Sequence, residues 1–318
     1  MSKVAYLFPG QGSQYVGMGQ DLFVQFPEAR AVFEQADDAL GFALSDLMFG
    51  KTGDEEQDAE ALKQTDITQP ALYVHSLAAA KILERQGLDP AMAAGHSLGE
   101  YSALAAAGAL SFEDGLRVVR RRGELMAHAG DERPGTMAAI LNMDDDALVA
   151  VCEDASEGND SVVQPANFNA PGQVVISGDV AAVERAMELA SEHGARRVVA
   201  LPVSGAFHSP LMEHARAGLA EALNALVIQK PRCPVYLNVT AEPTTDPEAI
   251  RKRLLEQLTS PVRWAPTLRQ MQEDGATRFV EVGAGKVLTG LVRRTLGRDV
   301  ETVTFGTAED LEDVKREI

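Results

Sequence analysis

The stretch Gly95-His96-Ser97-Leu98-Gly99 lies between the small-residue run Ala91-Met92-Ala93-Ala94 and the helix-like run Glu100-Tyr101-Ser102-Ala103-Leu104. It reads as a nucleophile elbow. A serine is held on a sharp strand-to-helix turn, and a glycine two residues to either side lets strand and helix approach without a side-chain clash. Few sequence features constrain a fold as tightly. The strand and helix must be consecutive and packed together. The hydroxyl must stand at the helix N-terminus, where free backbone N–H groups and the positive end of the dipole favour the oxyanion formed when a carbonyl is attacked.

Strand-like and helix-like segments also alternate ahead of the elbow. Val4-Ala5-Tyr6-Leu7-Phe8 closes at Pro9-Gly10, and Thr68-Gln69-Pro70 predicts the opening of an amphipathic helix over Ala71–Gln86. Such alternation gives a parallel sheet covered by helices on both faces. From Gly135 the pattern changes. Strands at 137–141, 162–166, 173–177 and 196–203, with helices at 144–154 and 180–193, read β-α-β-β-α-β, the ferredoxin-like order. Asn169-Ala170-Pro171-Gly172 predicts the turn between the two adjacent strands, and Asp179 predicts an N-cap. The expected class is α/β, with a large α/β-hydrolase-like domain around a parallel central sheet (1–134 and 204–318). A ferredoxin-like small domain (135–203) is inserted in it. Asp54–Glu60 reads as a solvated loop or helix start, and Glu309–Ile318 as a charged tail.

Composition narrows the partners. A net charge of -18 over 318 residues argues against nucleic acid or an anionic membrane, either of which needs a dense basic face. An anionic partner would have to use a local patch such as Arg251-Lys252-Arg253, Arg293-Arg294 or Lys230 with Arg232, each of which also reads as solvated surface charge. Cys152 and Cys233 belong to no Cys-x-x-Cys pair, so neither a disulfide framework nor a zinc site is expected and both read as buried thiols. Met1-Ser2-Lys3 leads straight into a strand with no signal-peptide h-region, and no apolar run approaches spanning length, so a cytoplasmic protein is expected.

Two glycine-rich stretches resemble phosphate loops only superficially. After Gly10-Gln11-Gly12, Tyr15 stands where a dinucleotide fingerprint needs its third glycine. Around Gly285-Lys286, Val280 replaces the leading glycine and Val287 the required Ser or Thr. Nucleotide binding is therefore not expected.

A serine hydroxyl needs a base within hydrogen-bond reach, most often histidine. The chain has six. His96 adjoins the serine and should point away, His75 and His128 sit in helix-like runs, and His193 ends one. His208 differs, because it follows a strand and precedes a helix that Ser209 should cap, with Pro210 in the first turn. Loops at the carboxyl ends of strands are where α/β sheets build sites, and the nearby helix N-terminus should keep the ring neutral. His214, inside that helix, is the alternative base.

Arg122 is the other distinctive residue. Along Glu113–Ala127, Arg117 can pair with Glu113, and Arg120 and Arg121 with Glu124. Arg122 instead shares its face with Val118, Val119, Leu125 and Met126. A buried guanidinium must find an acceptor elsewhere, either a distant Asp or Glu or a carboxylate supplied by the substrate.

Six motifs in order resemble one family across nearly the whole chain. They are Phe8-Pro9-Gly10-Gln11-Gly12-Ser13-Gln14, Gly95-His96-Ser97-Leu98-Gly99-Glu100-Tyr101, Arg122-Gly123, Asn167-Phe168-Asn169, Phe207-His208-Ser209-Pro210-Leu211-Met212 and Glu281-Val282-Gly283-Ala284-Gly285-Lys286-Val287-Leu288. The family is that of malonyl-CoA:acyl-carrier-protein transacylase of fatty acid synthesis, related to polyketide acyltransferase domains. The resemblance implies a ping-pong transfer of malonyl from malonyl-CoA through an ester on Ser97 to the phosphopantetheine thiol of acyl carrier protein. It implies no separate cofactor, because coenzyme A and phosphopantetheine are parts of the substrates, and a monomer. It further implies Ser97 as nucleophile, His208 as base, and the amides of Gln11 and Leu98 as the oxyanion hole. Arg122 would hold the malonyl carboxylate, and the Gln257 carbonyl would orient the histidine in place of a triad aspartate. An aliphatic Leu98 and a bulky Phe207 resemble the malonyl-using branch, so malonyl-CoA is expected over methylmalonyl-CoA.

The rivals are a serine hydrolase or thioesterase and a polyketide-type acyltransferase with another extender unit. Hydrolases of the α/β class place their histidine late, after an Asp or Glu, and often carry a His-Gly-Gly motif; here no histidine follows His214 and no such motif exists.

Overall fold

The computed structural model describes residues 3–128, 133–158, 160–203 and 205–317. Met1, Ser2, Ser204 and Ile318 lie outside them. Among the described residues ten strands fall into two sheets: β1 Lys3–Phe8, β2 Met92–Gly95, β3 Gly135–Leu141, β4 Val163–Ala170, β5 Gln173–Asp179, β6 Arg197–Ala200, β7 Val235–Tyr236, β8 Pro243–Thr244, β9 Ala276–Val282 and β10 Glu301–Phe305. The main sheet has the order β10-β9-β1-β2-β7-β8 and is parallel except for the antiparallel edge strand β8.

β1 is apolar along its length because it is covered on both sides, as the inner strand of a parallel sheet must be. Val4, Tyr6 and Phe8 join the core beneath the helices Pro27–Leu40, Thr65–Arg85 and Phe112–Ala127. Ala5 and Leu7 face the helices Trp264–Glu273 and Val287–Leu296 on the other side. Parallel pairing sets Phe8 beside Gly95, so the loops leaving β1 and β2 emerge at the same edge.

The second sheet, β4-β5-β3-β6, is antiparallel throughout and packs on the helices Asp145–Ala155 and Val180–Glu192. It forms two interlocked split β-α-β units. Pro171-Gly172 makes the β4–β5 turn as expected. The insert also touches the main body, since the Phe168 N–H donates to the Val262 carbonyl at 2.9 Å.

Three local expectations change. The helix expected from Ala71 begins at Thr65, with Pro70 inside it. Proline has no N–H for the carbonyl one turn back. Arg120 Nη1 takes that Asp66 carbonyl at 2.6 Å, so the defect is filled from a neighbouring helix. Asp179 occupies the N-cap position but makes no side-chain cap, because its carboxylate binds Arg133 Nε and Nη2 at 2.6 and 2.7 Å. Asp54 does cap a helix, Glu55–Lys63, through the Gln57 N–H. The segment expected as a charged tail forms the helix Leu311–Glu317, with Leu311 and Val314 buried. Both cysteines are buried free thiols, and burial pushes them up to about 12 for Cys152 and about 11 for Cys233.

Candidate active site

Ser97 sits between the end of β2 and the helix Gly99–Ala106 with φ 51°, the left-handed region that β-carbon-bearing residues avoid. Sterics explain both flanking glycines. A Cβ on Gly95 would lie 1.8 Å from the Gly99 carbonyl oxygen, and one on Gly99 would lie 2.1 Å from that of Phe8. The elbow therefore closes only with hydrogen at both positions.

His208 approaches from the loop after the insert, also with positive φ, 57°. Its Nε2 is 2.7 Å from Ser97 Oγ and its Nδ1 is 2.8 Å from the Gln257 carbonyl. A carbonyl can only accept, so Nδ1 carries the proton and Nε2 is free to accept from the hydroxyl. The carbonyl is available because Gln257 ends the helix Pro247–Gln257, where the last carbonyls lack intrahelical donors. Gln164 Nε2, from the inserted sheet, donates to the His208 carbonyl at 2.9 Å. Ser209 caps the following turn through the Leu211 N–H at 3.3 Å. Burial, and then the Arg122 charge, hold the His208 pKa down to about 3. The ring is neutral as expected, but these are the causes rather than the helix terminus.

Arg122 is 1 % exposed and comes from the helix Phe112–Ala127. The expected pairs of its neighbours form, Arg117–Glu113 at 3.1 Å, Arg120–Glu124 at 3.0 Å and Arg121–Glu124 at 3.3 Å. Arg122 Nη1 donates to Gln69 Oε1 at 2.8 Å, and Nη2 donates to Ser97 Oγ and Gln257 Oε1 at 3.1 Å each. All three acceptors are neutral, and Nε has no partner among the described residues. Burial lowers its pKa from the usual guanidinium value. Its helix is seated closely on Thr65–Arg85, for a Cβ at Gly123 would stand 2.7 Å from the Asp66 Cα.

The remaining expected residues surround this trio. Leu98 is buried, and among the described residues no group engages its N–H. Gln11 is exposed on the loop after β1, whose last strand residue Phe8 accepts the His96 N–H of the elbow at 3.0 Å; the Gln11 side chain donates to Thr65 Oγ1 at 3.2 Å. Phe207 is buried in the main core directly before His208. His96 turns away to Asn169 Oδ1 at 2.7 Å and the Trp264 ring, and His214 bonds the Leu211 carbonyl of its own turn.

Sequence reasoning missed a buried polar set beneath the elbow. Asn238, Gln69 and the side-chain amide of Gln257 carry no motif of their own, and Glu100 lies within the elbow motif without a role legible from it. Gln257 Nε2 donates to the Ser97 carbonyl at 3.0 Å and Glu100 Oε2 at 3.2 Å. Burial raises Glu100 to about 7, and its Oε1 has no partner among the described residues. A signal was available, since a glutamate in the first turn after Ser97 with Tyr101, Ala103 and Leu104 around it faces inward.

The loop resembling a P-loop is occupied by protein. The Glu281 carboxylate accepts the Leu288 and Thr289 N–H groups at 3.0 and 2.8 Å, which fills the helix N-terminus where a phosphate would sit. Among the described residues no group of three or more His, Cys, Asp or Glu is placed to hold a metal ion, and no helix is long and apolar enough to cross a membrane. Of the basic patches, Arg253 pairs with Glu256 and Arg232 with Glu84, whereas Arg293, Arg294 and Arg298 line one surface hollow.

An elbow serine bonded to a carbonyl-anchored histidine, in a three-layer α/β fold with an inserted antiparallel sheet, defines a protein of serine acyl chemistry. The chain belongs to the acyl transferase domain family, whose profile matches residues 5–314. A malonyl CoA-acyl carrier protein transacylase of Bacillus subtilis (strain 168) is 48% identical over 313 residues, spanning 98% of this chain and 96% of that protein. The crystal structure of an acyl carrier protein S-malonyltransferase from Vibrio cholerae superposes with a TM-score of 0.92 at 44% identity, covering 98% of this chain and 100% of that one. A malonyl-transacylase in complex with its type II polyketide acyl carrier protein gives a TM-score of 0.93 at 39% identity, with full coverage of both chains.

Proposed function

We propose that this chain transfers a malonyl group from malonyl-CoA to the phosphopantetheine thiol of an acyl carrier protein through a malonyl ester on Ser97. The observation that carries this reading is the buried Arg122, hydrogen-bonded only to neutral acceptors, with Glu100 acting on it only through space, and 3.1 Å from the nucleophilic oxygen. A buried guanidinium with no carboxylate hydrogen-bonded to it is costly, and an acyl group bearing its own carboxylate supplies one. A neutral acyl group would leave the guanidinium without a directly bonded carboxylate.

The steps follow from the geometry. Ser97 Oγ gives its proton to His208 Nε2 and attacks the malonyl thioester carbonyl. The oxyanion falls to the Leu98 and Gln11 amides. Collapse expels the coenzyme A thiolate, which takes the proton from His208. The carrier thiol then enters by the reverse sequence, giving its proton to His208, forming the new thioester and returning the proton to Ser97. The Gln257 carbonyl holds the histidine tautomer throughout, and Phe207 limits the space at the acyl α-carbon. Coenzyme A and phosphopantetheine belong to the substrates, so the chemistry needs no further cofactor. Residues 1–134 and 204–318 would form the catalytic domain and 135–203 the small domain of a cytoplasmic monomer with no nucleic-acid partner.

Intact-mass measurement after mixing with malonyl-CoA tests the reading. A malonyl adduct on Ser97 that is discharged to carrier protein is expected; an adduct lost to water at the same rate with or without carrier would make the chain a hydrolase.

A further inference from the structure

On its β7 side, strand β2 loses its pairing just before the nucleophile, while β1 stays paired through Phe8 and Gly95. β2 pairs with β7 only through Ala93 and Ala94, opposite Val235 and Tyr236. The side chain of Asn238 continues the ladder from there. Its Nδ2 donates to the Gly95 carbonyl and its Oδ1 accepts the Ser97 N–H, both at 2.7 Å. This donor and acceptor stand in for the backbone groups of a neighbouring strand residue.

Asn238 is built to stay in place. It is fully buried, its N–H donates to Glu100 Oε2 at 2.7 Å, and its carbonyl accepts from the Arg263 N–H at 2.9 Å. Gln257 Nε2, already on the Ser97 carbonyl, lies 3.3 Å from Asn238 Oδ1. Both backbone groups of Ser97 are thus held by side-chain amides. Ser97 needs such a hold, because a left-handed backbone at a residue other than glycine costs about 1 kcal/mol or more and persists only where its surroundings enforce it.

We infer that Asn238 is a positioning residue for the acyl transfer, its amide holding Ser97 in the strained conformation that aims Oγ at His208 and leaves the Leu98 N–H open to the reacting carbonyl. This inference rests on the transfer reading above. Released from Asn238, the elbow can relax toward an ordinary backbone, which swings Oγ and the following amide together.

The test is rapid-quench intact-mass measurement of Ser97 acylation by malonyl-CoA in the wild-type chain, Asn238→Ala and Asn238→Asp. The aspartate keeps an acceptor for the Ser97 N–H but sets an oxygen against the Gly95 carbonyl. Asn238→Ala is expected to slow acylation by about 100-fold, the scale of an ångström-sized misplacement at a reacting centre. KM for malonyl-CoA should stay within about threefold, because the acyl group is held elsewhere. The position of any acid limb in the pH profile should not move. Asn238→Asp should fall between alanine and wild type. A folded alanine variant acylated within about threefold of the wild-type rate overturns the inference. If alanine does not fold, the aspartate variant decides by the same comparison, and failure of both to fold assigns Asn238 to folding alone and also overturns it. A wild-type chain that malonyl-CoA does not acylate would instead refute the transfer reading.

Discussion

Arg122 Nη2 and Ser97 Oγ stand 3.1 Å apart, the one carried on a long helix and the other on a turn with positive φ. The guanidinium thus donates to the very oxygen proposed to attack. A malonyl carboxylate that engages the arginine draws this donor away and frees the oxygen lone pair. Arg122→Ala is expected to lower kcat/KM for malonyl-CoA by about 100-fold or more while acetyl-CoA transfer changes little, since a charge-assisted bidentate pair contributes about 3 kcal/mol. Unchanged selectivity between the two thioesters would refute the assignment.

The same arginine bears on the base. With His208 at about 3, its ring is neutral across the usual assay range, and no acid limb from it should appear in kcat/KM between about pH 5 and 7. Arg122→Ala removes one of the three lowering causes and leaves burial and His96, so the limb should move up toward that range. His208→Ala should leave Ser97 nearly unacylated at every pH. A wild-type limb near the ordinary imidazole value would contradict the burial of the ring.

Glu100 predicts a pH dependence of stability. Burial raises its folded pKa to about 7, above its ordinary value, so between those two values the folded chain binds more protons than the unfolded one. Stability from this group is therefore present at low pH and lost as pH rises to about 7, by up to about 3 kcal/mol. Glu100→Gln does not titrate, and its stability relative to wild type in urea melts should improve from pH 5 to 8 by roughly that amount. A difference that is flat with pH would show that the carboxyl titrates normally.

Phe207 is expected to restrict the acyl α-carbon. Wild-type kcat/KM should favour malonyl-CoA over methylmalonyl-CoA, and Phe207→Ala should shrink the preference by about tenfold, the value of one methyl group in a tight pocket. Comparable efficiencies for the two substrates in the wild-type chain would remove Phe207 from this role.

Gly95→Ala tests the elbow. Its Cβ would fall 1.8 Å from the Gly99 carbonyl oxygen, against backbone that has no rotamer to yield. A loss of at least about 3 kcal/mol, or no folded chain, is expected in thermal melts. A variant with wild-type Tm would mean that the turn is wider than described.

The candidate reacting groups were legible in the sequence because each breaks a local rule. Ser97 is bracketed by two glycines, Arg122 is a charge on an apolar stripe, and His208 sits between a strand and a capped turn. Their supports were not legible. Asn238 reads as an ordinary polar residue after a two-residue strand, and its part in the ladder depends on a side chain reaching 141 positions back to Ser97. The Gln257 carbonyl could be reached only through family resemblance, since nothing in a helix-end glutamine says which donor will find it. The start of the helix at Thr65 was hidden by Pro70, whose cost is offset by Arg120, a residue on another helix. Asp179 lost its capping role to Arg133 in the same way. In each case a distant partner overrode a sound local preference.

The seat of Gly123 on Asp66 has a bearing on how such chains diverge. The position of the guanidinium is set by how closely two helices lie, and that spacing is set by a residue with no side chain, 2.7 Å from backbone at the point where a Cβ would begin. One added methyl there would push the helices apart and withdraw Arg122 from Ser97 while leaving every reacting group intact. On the proposed role of Arg122, acyl preference would be governed partly by a contact that no acyl group ever meets, and a search for altered specificity confined to the pocket walls would pass it by.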